Sequence, residues 1–321
     1  MQLLGEGAAL AASILWTFTS LAFTLASKRV GPLAVNLLRI LFAIGLLALA
    51  HVIILGTLIP KANDAQWGYL SASGIIGLAI GDLGYFGSLV ILRPRRATLL
   101  MAVNPIFSSI LGYFALGEVL SLVAIAGIAV TLTGVLLVVL EKEEKTDEKD
   151  GKADEETDGV KRSKWLTSDK KWLGVLFGVI GSLGQGIGLV ISKYGMQDAA
   201  TAGAGTLNPL STSLIRMLAA GLFFLILMVG IGRLGNAGRA FKDRQGMSAI
   251  VAGTIIGPFL GVWVSMLAVS NTDAGIAATL MSMMPVFIIP VVYVLYREKT
   301  SWRGILGAFV AIAGVAMLLL L

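Results

Sequence analysis

Long apolar runs and short polar interruptions alternate along the chain, and ten runs stand out, near 5–26, 33–56, 67–92, 97–116, 119–140, 172–194, 207–232, 246–269, 274–296 and 302–321. A hydrocarbon core about 30 Å thick is crossed by about 20 helical residues, so each run predicts a transmembrane helix. The runs are continuous rather than alternating with a period of two. That favours helices over barrel strands, because a helix in lipid satisfies its own backbone. The predicted class is an all-α integral membrane protein with ten transmembrane helices. Composition agrees: of 321 residues, 56% are hydrophobic and 14% charged, with mean hydropathy +0.87, whereas a soluble domain is about 25% charged. The first run is expected to be a retained helix rather than a cleaved leader, because no Lys or Arg precedes it and Glu6 stands where a basic flank would be.

Basic residues are unevenly shared between the interruptions. Lys28, Arg29, Arg93, Arg95, Arg96, nine residues of 141–171, Arg233, Arg239, Lys242, Arg244, Arg297, Lys299 and Arg303 fall on alternate loops. Lys61 and Lys193 fall on the others, a partition of 21 against 2, while Arg39 and Arg216 lie within runs. The rich side is expected to be cytoplasmic, which places both termini outside a plasma (inner) membrane. The basic pI of 9.5 then reflects anionic headgroups beside the spans, and no nucleic-acid partner is expected. Segment 141–171 opens EKEEKTDEKDGKADEETDG and has almost no apolar residue before Trp165. It is expected to be a disordered cytoplasmic linker, or else a regulatory docking segment.

Chemistry is narrowed by what is scarce. Without cysteine and with one histidine, His51, the chain has no route to a disulfide, a thiolate nucleophile, a Cys/His zinc site or a Ser-His-Asp triad. No metal and no cofactor are expected. His51, near the end of the second run, is expected to be capped or to reach toward the headgroups.

The chain also repeats itself. At an offset of 180, residues 97–140 align without a gap on 277–320, with 14 identities in 44 positions, among them Met101 and Met281, Pro105 and Pro285, Phe107 and Phe287, Tyr113 and Tyr293, Glu118 and Glu298, Gly127 and Gly307, and Gly134 and Gly314. Earlier in each half Ser27 and Lys28 match Ser192 and Lys193, LLRILFAIGLL around Arg39 matches LIRMLAAGLFF around Arg216, and Gly77 and Gly81 match Gly253 and Gly257. Five spans per half is an odd number, so the second copy is expected to enter the membrane from the opposite face. Two inverted five-helix repeats, over 1–140 and 172–321, are the pattern of alternating-access carriers, whose substrate site lies at mid-membrane between the repeats.

With NPIFSSILGYFALGE at 104–118 and MPVFIIPVVYVLYRE at 284–298, this twofold layout resembles the EamA branch of the drug/metabolite transporter superfamily. The resemblance covers both halves and leaves the linker outside; Arg297 departs from it, standing where the first copy has Gly117. It implies a ten-helix carrier with a central cavity, commonly exporting amino acids or related small metabolites.

Polar residues inside the runs are the candidate site. Asp82, in LAIGDLGYFG, is the sole acid or base between Trp67 and Leu92, and a carboxylate at a helix centre costs about 2.5 to 3.5 kcal/mol on insertion scales. It is expected to meet a substrate ammonium, a coupling proton or Arg39, or else to be a hydrogen-bonded structural residue. On this alignment its counterpart is Pro258, so the acid breaks the internal symmetry. Arg39 and its mate Arg216 suit a structural role, or carboxylate binding, for which Arg39 is the candidate. Ser13, Thr17, Ser20, Thr24 and Ser27 share one face of the first run beside Trp16, and Ser182, Gln185 and Ser192 the matching face of its mate; such stripes line a path or join helices. Asn104 and Ser108 share a face of span four, with Ser282 in span nine. Pro105, Pro285 and Pro290 are expected to break or hinge these helices. Tyr85 and Trp263, with Met101 and Met281, suit an adaptable apolar lining, or packing. The closely spaced glycines, including GQGIG at 184–188, are expected to pack helices and lack the setting of a dinucleotide fingerprint.

The expected function is a secondary carrier, exporting small amphiphilic or zwitterionic metabolites such as amino acids, with protons as a candidate coupling ion and a monomer or homodimer as its assembly. A lipid flippase or a channel is the alternative. An intramembrane aspartyl enzyme would need a second carboxylate at depth, and Glu6, Glu118, Asp198, Asp273 and Glu298 all lie at run edges, so no enzyme is expected.

Overall fold

The computed structural model describes residues 2–139, 171–201, 206–232, 234–296 and 302–319. Among them there is no strand. The helices are α1 (Gln2–Val30), α2 (Pro32–Leu55), α3 (Asp64–Ser73), α4 (Asp82–Met101), α5 (Asn104–Leu116) and α6 (Leu122–Val139) in the first half. The second half has α7 (Lys171–Thr201), α8 (Pro209–Gly230), the short α9 (Leu234–Ala240), α10 (Arg244–Thr254), α11 (Val262–Asn271), α12 (Ala274–Met281), α13 (Met284–Tyr296) and α14 (Trp302–Leu319). Eight helical stretches among the described residues are long and apolar enough to cross a membrane. They correspond to every expected run but the third and fourth. Those two are helical as well, although α4 continues through the basic segment 93–96 that was expected to be a loop. The expected linker, but for Lys171, lies outside the described residues, as do Arg297 and Glu298.

Proline explains where the helices stop. A proline ring collides with the carbonyl four residues earlier and offers it no N–H. Pro105 and Pro285 therefore end the preceding helices at Met101 and Met281, with turns at 102–103 and 282–283 before α5 and α13 begin. Pro290 was expected to break its helix too, and it does not: α13 runs through it to Tyr296, at the cost of one backbone bond.

Between α3 and α4, and between α10 and α11, the backbone widens into π-helix at Gly74–Gly81 and Ile255–Gly261. The two widenings end 180 residues apart, and Ile75, Ile76, Gly77 and Gly81 face Ile255, Ile256, Gly257 and Gly261 in that register. The offset of 180 thus extends back through the third spans. The mate of Asp82 is Val262, not Pro258.

The halves interlock. α1 packs on α10 to α13 of the second half, and α7 packs on α3, α4 and α5 of the first. The last helices, α6 and α14, cross at contact distance. A β-carbon at Gly134 would stand 2.2 Å from the Ala311 nitrogen, and one at Gly314 would stand 2.4 Å from the Thr131 nitrogen. Since 131 and 311, like 134 and 314, are repeat mates, each contact is the other's counterpart under a local twofold.

Candidate functional site

Asp82 opens α4 directly after the π-helical turn, and three elements converge on it. From α2, the Arg39 guanidinium forms an ion pair with Oδ2 and lies 5.6 Å over the Phe23 ring of α1. From α7, in the second half, Gln185 Nε2 donates to Oδ1 at 3.0 Å. The carboxylate therefore ties both halves together. The pair is not sealed, with side-chain exposures of 12% for Arg39 and 14% for Asp82. Tyr85, one turn along α4, lies within the electrostatic reach of the same carboxylate.

Arg216 approaches from α8. Its backbone passes so close to Gly74 that a β-carbon there would overlap its carbonyl, and its Nη2 would stand 3.4 Å from a β-carbon at Gly77. The side chain is 4% exposed; Nη1 donates to the Met266 sulfur at 2.9 Å, and Nε has no hydrogen-bond partner.

The residues of GQG each touch a different part of this centre. Gly184 meets the Ile76 carbonyl and Gly81, Gln185 meets Asp82, and a β-carbon at Gly186 would meet Asn104 Oδ1 at 3.0 Å and Ser108 Oγ at 3.3 Å. Asn104 and Ser108 bond to each other, Ser108 Oγ donating at 3.1 Å. They adjoin the Asp82 group across one residue of α7 rather than joining it. Ser282 donates to the Thr279 carbonyl at its own helix break. Trp16 packs against Gly261, while Trp263 leans on Phe259 with ring centroids 6.1 Å apart, in a different apolar cluster. The hydroxyls of Thr17, Ser20 and Thr24 bond back to carbonyls of their own helix, and Thr17 also reaches the Met284 carbonyl at 3.4 Å. Thr17 is thus the member of the stripe that bonds to a second helix, while the Ser13 hydroxyl is buried without a hydrogen-bond partner.

A second ion pair went unread in the sequence. Lys193, at the end of the sixth run, is counted with the loop residues in the charge partition, but the structure holds it 5% exposed within α7. Its Nζ donates to Glu118 Oε1 at 2.5 Å and to the Thr272 carbonyl at 2.7 Å, and Glu118 Oε2 accepts the Ala274 N–H at 2.9 Å. Glu118 is presented by Gly117, whose φ of +67° forms the left-handed cap of α5. The available signals were the duplicated Glu at the end of each fourth span and the duplicated Ser-Lys at 27–28 and 192–193. His51 is also capped: Nδ1 meets the Thr57 carbonyl at 2.5 Å and Nε2 meets Ser211 Oγ at 2.9 Å, fastening α2 to α8.

Among solved structures, a crystal structure described simply as that of a protein matches with TM-score 0.71 at 18% identity, covering 98% of this chain and 96% of that one. It supports the fold alone. A sodium–calcium exchanger, NCX_Mj, aligns over 98% of this chain and 99% of its own at 17% identity, with a TM-score of 0.21 that carries no weight. No curated protein gives a significant match. The model of the EamA-like transporter family matches residues 3–140 and again 172–320, the two halves that share the 180-residue register, and the chain belongs to the EamA-like transporter family.

Proposed function

We propose that the protein is a secondary carrier that exports small zwitterionic or amphiphilic metabolites, amino acids among them, by alternating access through a central site at Asp82, Arg39 and Gln185. The observation that carries this reading is the placement of an unduplicated acid where both halves meet: Val262, its mate, makes Asp82 unnecessary for building a five-helix unit. A partly open ion pair there offers a substrate ammonium the Asp82 carboxylate. The same carboxylate suits proton coupling, because exchanging Arg39 for a proton or for substrate would mark distinct states of the carrier. Two halves that share the 180-residue register support the reading, as do the reciprocal contacts of α6 and α14. The proline-set turns near 102–103 and 282–283 suit hinges at matching places in the two halves.

Counterflow of labelled amino acids in proteoliposomes tests it. Saturable, stereoselective exchange is expected, with about a ten- to hundredfold loss in Asp82→Asn, the scale of a charged hydrogen bond. Movement of fluorescent lipid without exchange would make the protein a flippase, and flux without counterflow a channel. The orientation, with the linker cytoplasmic, is tested by Lys61→Cys. That cysteine should label from outside intact cells, and labelling only after lysis would reverse the topology.

A further inference from the structure

We infer that Arg216 is the receptor for an anionic group of the transported molecule, so that the site takes substrates bearing a carboxylate rather than simple amines. The inference rests on the carrier reading above and assigns the substrate class of that same site.

Two guanidiniums, Arg39 and Arg216, face one carboxylate, Asp82, which leaves one formal positive charge uncompensated among them. Asp82 is committed to Arg39, its ion-pair partner, and to Gln185. Arg216 occupies the repeat-equivalent position in α8 and has no carboxylate within ion-pair distance among the described residues. Its partner is a thioether, a weak acceptor. A guanidinium does not shed its proton to relieve burial. A charge held at 4% exposure with a sulfur and an unbonded Nε is thus an incomplete pair, of the kind strongly favoured to accept an anion. Met266, 1% exposed with an unbranched and adaptable side chain, is the group that an incoming anion would have to displace. The fork it vacates matches a planar carboxylate with two parallel hydrogen bonds. Gly74 packs directly against the Arg216 backbone, and Gly77 lies beside its Nη2, which fixes this arginine against α3 and its π-helical continuation. An α-amino acid bound there by its carboxylate would turn its ammonium toward Asp82. Sequence reasoning favoured Arg39 for the anion. The structure gives Arg39 to Asp82 and leaves the role to Arg216.

The test uses the purified full chain and triplets of probes: each amino acid, its decarboxylated amine and its deaminated acid, scored by thermal shift and by counterflow. Wild-type protein is expected to bind amino acids and deaminated acids and to lose affinity for the amines. Arg216→Gln should weaken carboxylate binding by about tenfold or more and leave any amine binding unchanged. Where Arg216→Gln does not purify as a monodisperse species, Arg216→Lys serves, and should lose several-fold affinity for carboxylates alone. Carboxylate binding at wild-type affinity in these variants overturns the proposal, as does a wild type that binds amines as well as their parents or binds no carboxylate. Stabilisation by chloride that Arg216→Gln abolishes, with no competition from carboxylates, overturns it as well. Amine counterflow that Asp82→Asn stops would keep the carrier reading and sink this one; carboxylate binding through Arg216 without counterflow would do the reverse.

Discussion

Among the described residues, two buried ion pairs tie the halves together, and they differ in whether their surroundings are satisfied. At the corner where α5, α7 and α12 meet, Lys193 and Glu118 show side-chain exposures of 7% and 9%, and both carboxylate oxygens and the ammonium have protein partners. At the centre, Arg39 and Asp82 are more open and share their surroundings with an extra arginine that meets a thioether. A closed cluster in which each buried member has a protein partner resists rearrangement. A cluster with a surplus charge has a second arrangement available whenever an anion arrives. Burial alone therefore does not separate scaffold from site; the balance of partners does.

The largest test of that contrast removes one member of the corner. Lys193→Met leaves Glu118 buried without its cation, and about 3 to 5 kcal/mol should be lost. The thermal midpoint in detergent should fall sharply, and adding Glu118→Met in the same chain should recover most of it. If the single and double variants melt together, the corner is not a pair. The same operation at the centre should act on function instead. Asp82→Asn should keep its midpoint within a few degrees of wild type while counterflow falls, and a collapse of folded yield would place Asp82 with the scaffold. Next in size is Gly134→Ala, whose methyl group meets the Ala311 backbone. Overpacking of this kind costs about 1 to 3 kcal/mol, visible as a lowered midpoint with unchanged substrate affinity.

The smallest effect lies at the surface. Asp243 caps α10 by accepting the Gly246 N–H at 2.8 Å and pairs with Arg29 at 3.0 Å. The Gly246 N–H, aided by the Arg29 hydrogen bond, holds its carboxyl below the usual carboxylate value. A depressed folded value adds stability above the ordinary carboxylate range, and that stability is lost as pH falls through the depressed value. Asp243→Asn should therefore lower the midpoint slightly at neutral pH, with the difference from wild type closing under acid. A difference that grows on acidification would contradict the capping geometry.

Much of the scaffold was legible because it is written locally. Hydropathy marked the runs, and the ends at Met101 and Met281 follow from prolines four residues on. Pro290 shows the limit of that rule, since α13 tolerates one lost bond where its neighbours stay helical. The register of the third spans was also readable: Ile75-Ile76-Gly77 and Ile255-Ile256-Gly257 are identical triplets, yet two glycines matched at the wrong spacing concealed them. Asp82 and Gln185 were found as polar exceptions in apolar runs. Lys193 was misplaced because hydropathy puts any lysine at a run's end into water, and it is blind to an acid waiting 75 residues away.

By itself, then, the sequence determined the apolar runs, the repeat register and the helix ends at Met101 and Met281, since each depends on neighbours within a few turns or on the order of residues alone. Only the tertiary structure decided that Asp82 belongs to Arg39 across 43 residues and to Gln185 across 103, and that Arg216 is left with a thioether. A buried charge takes its character from the groups that fold against it, and those arrive from elements that one-dimensional periodicity does not order.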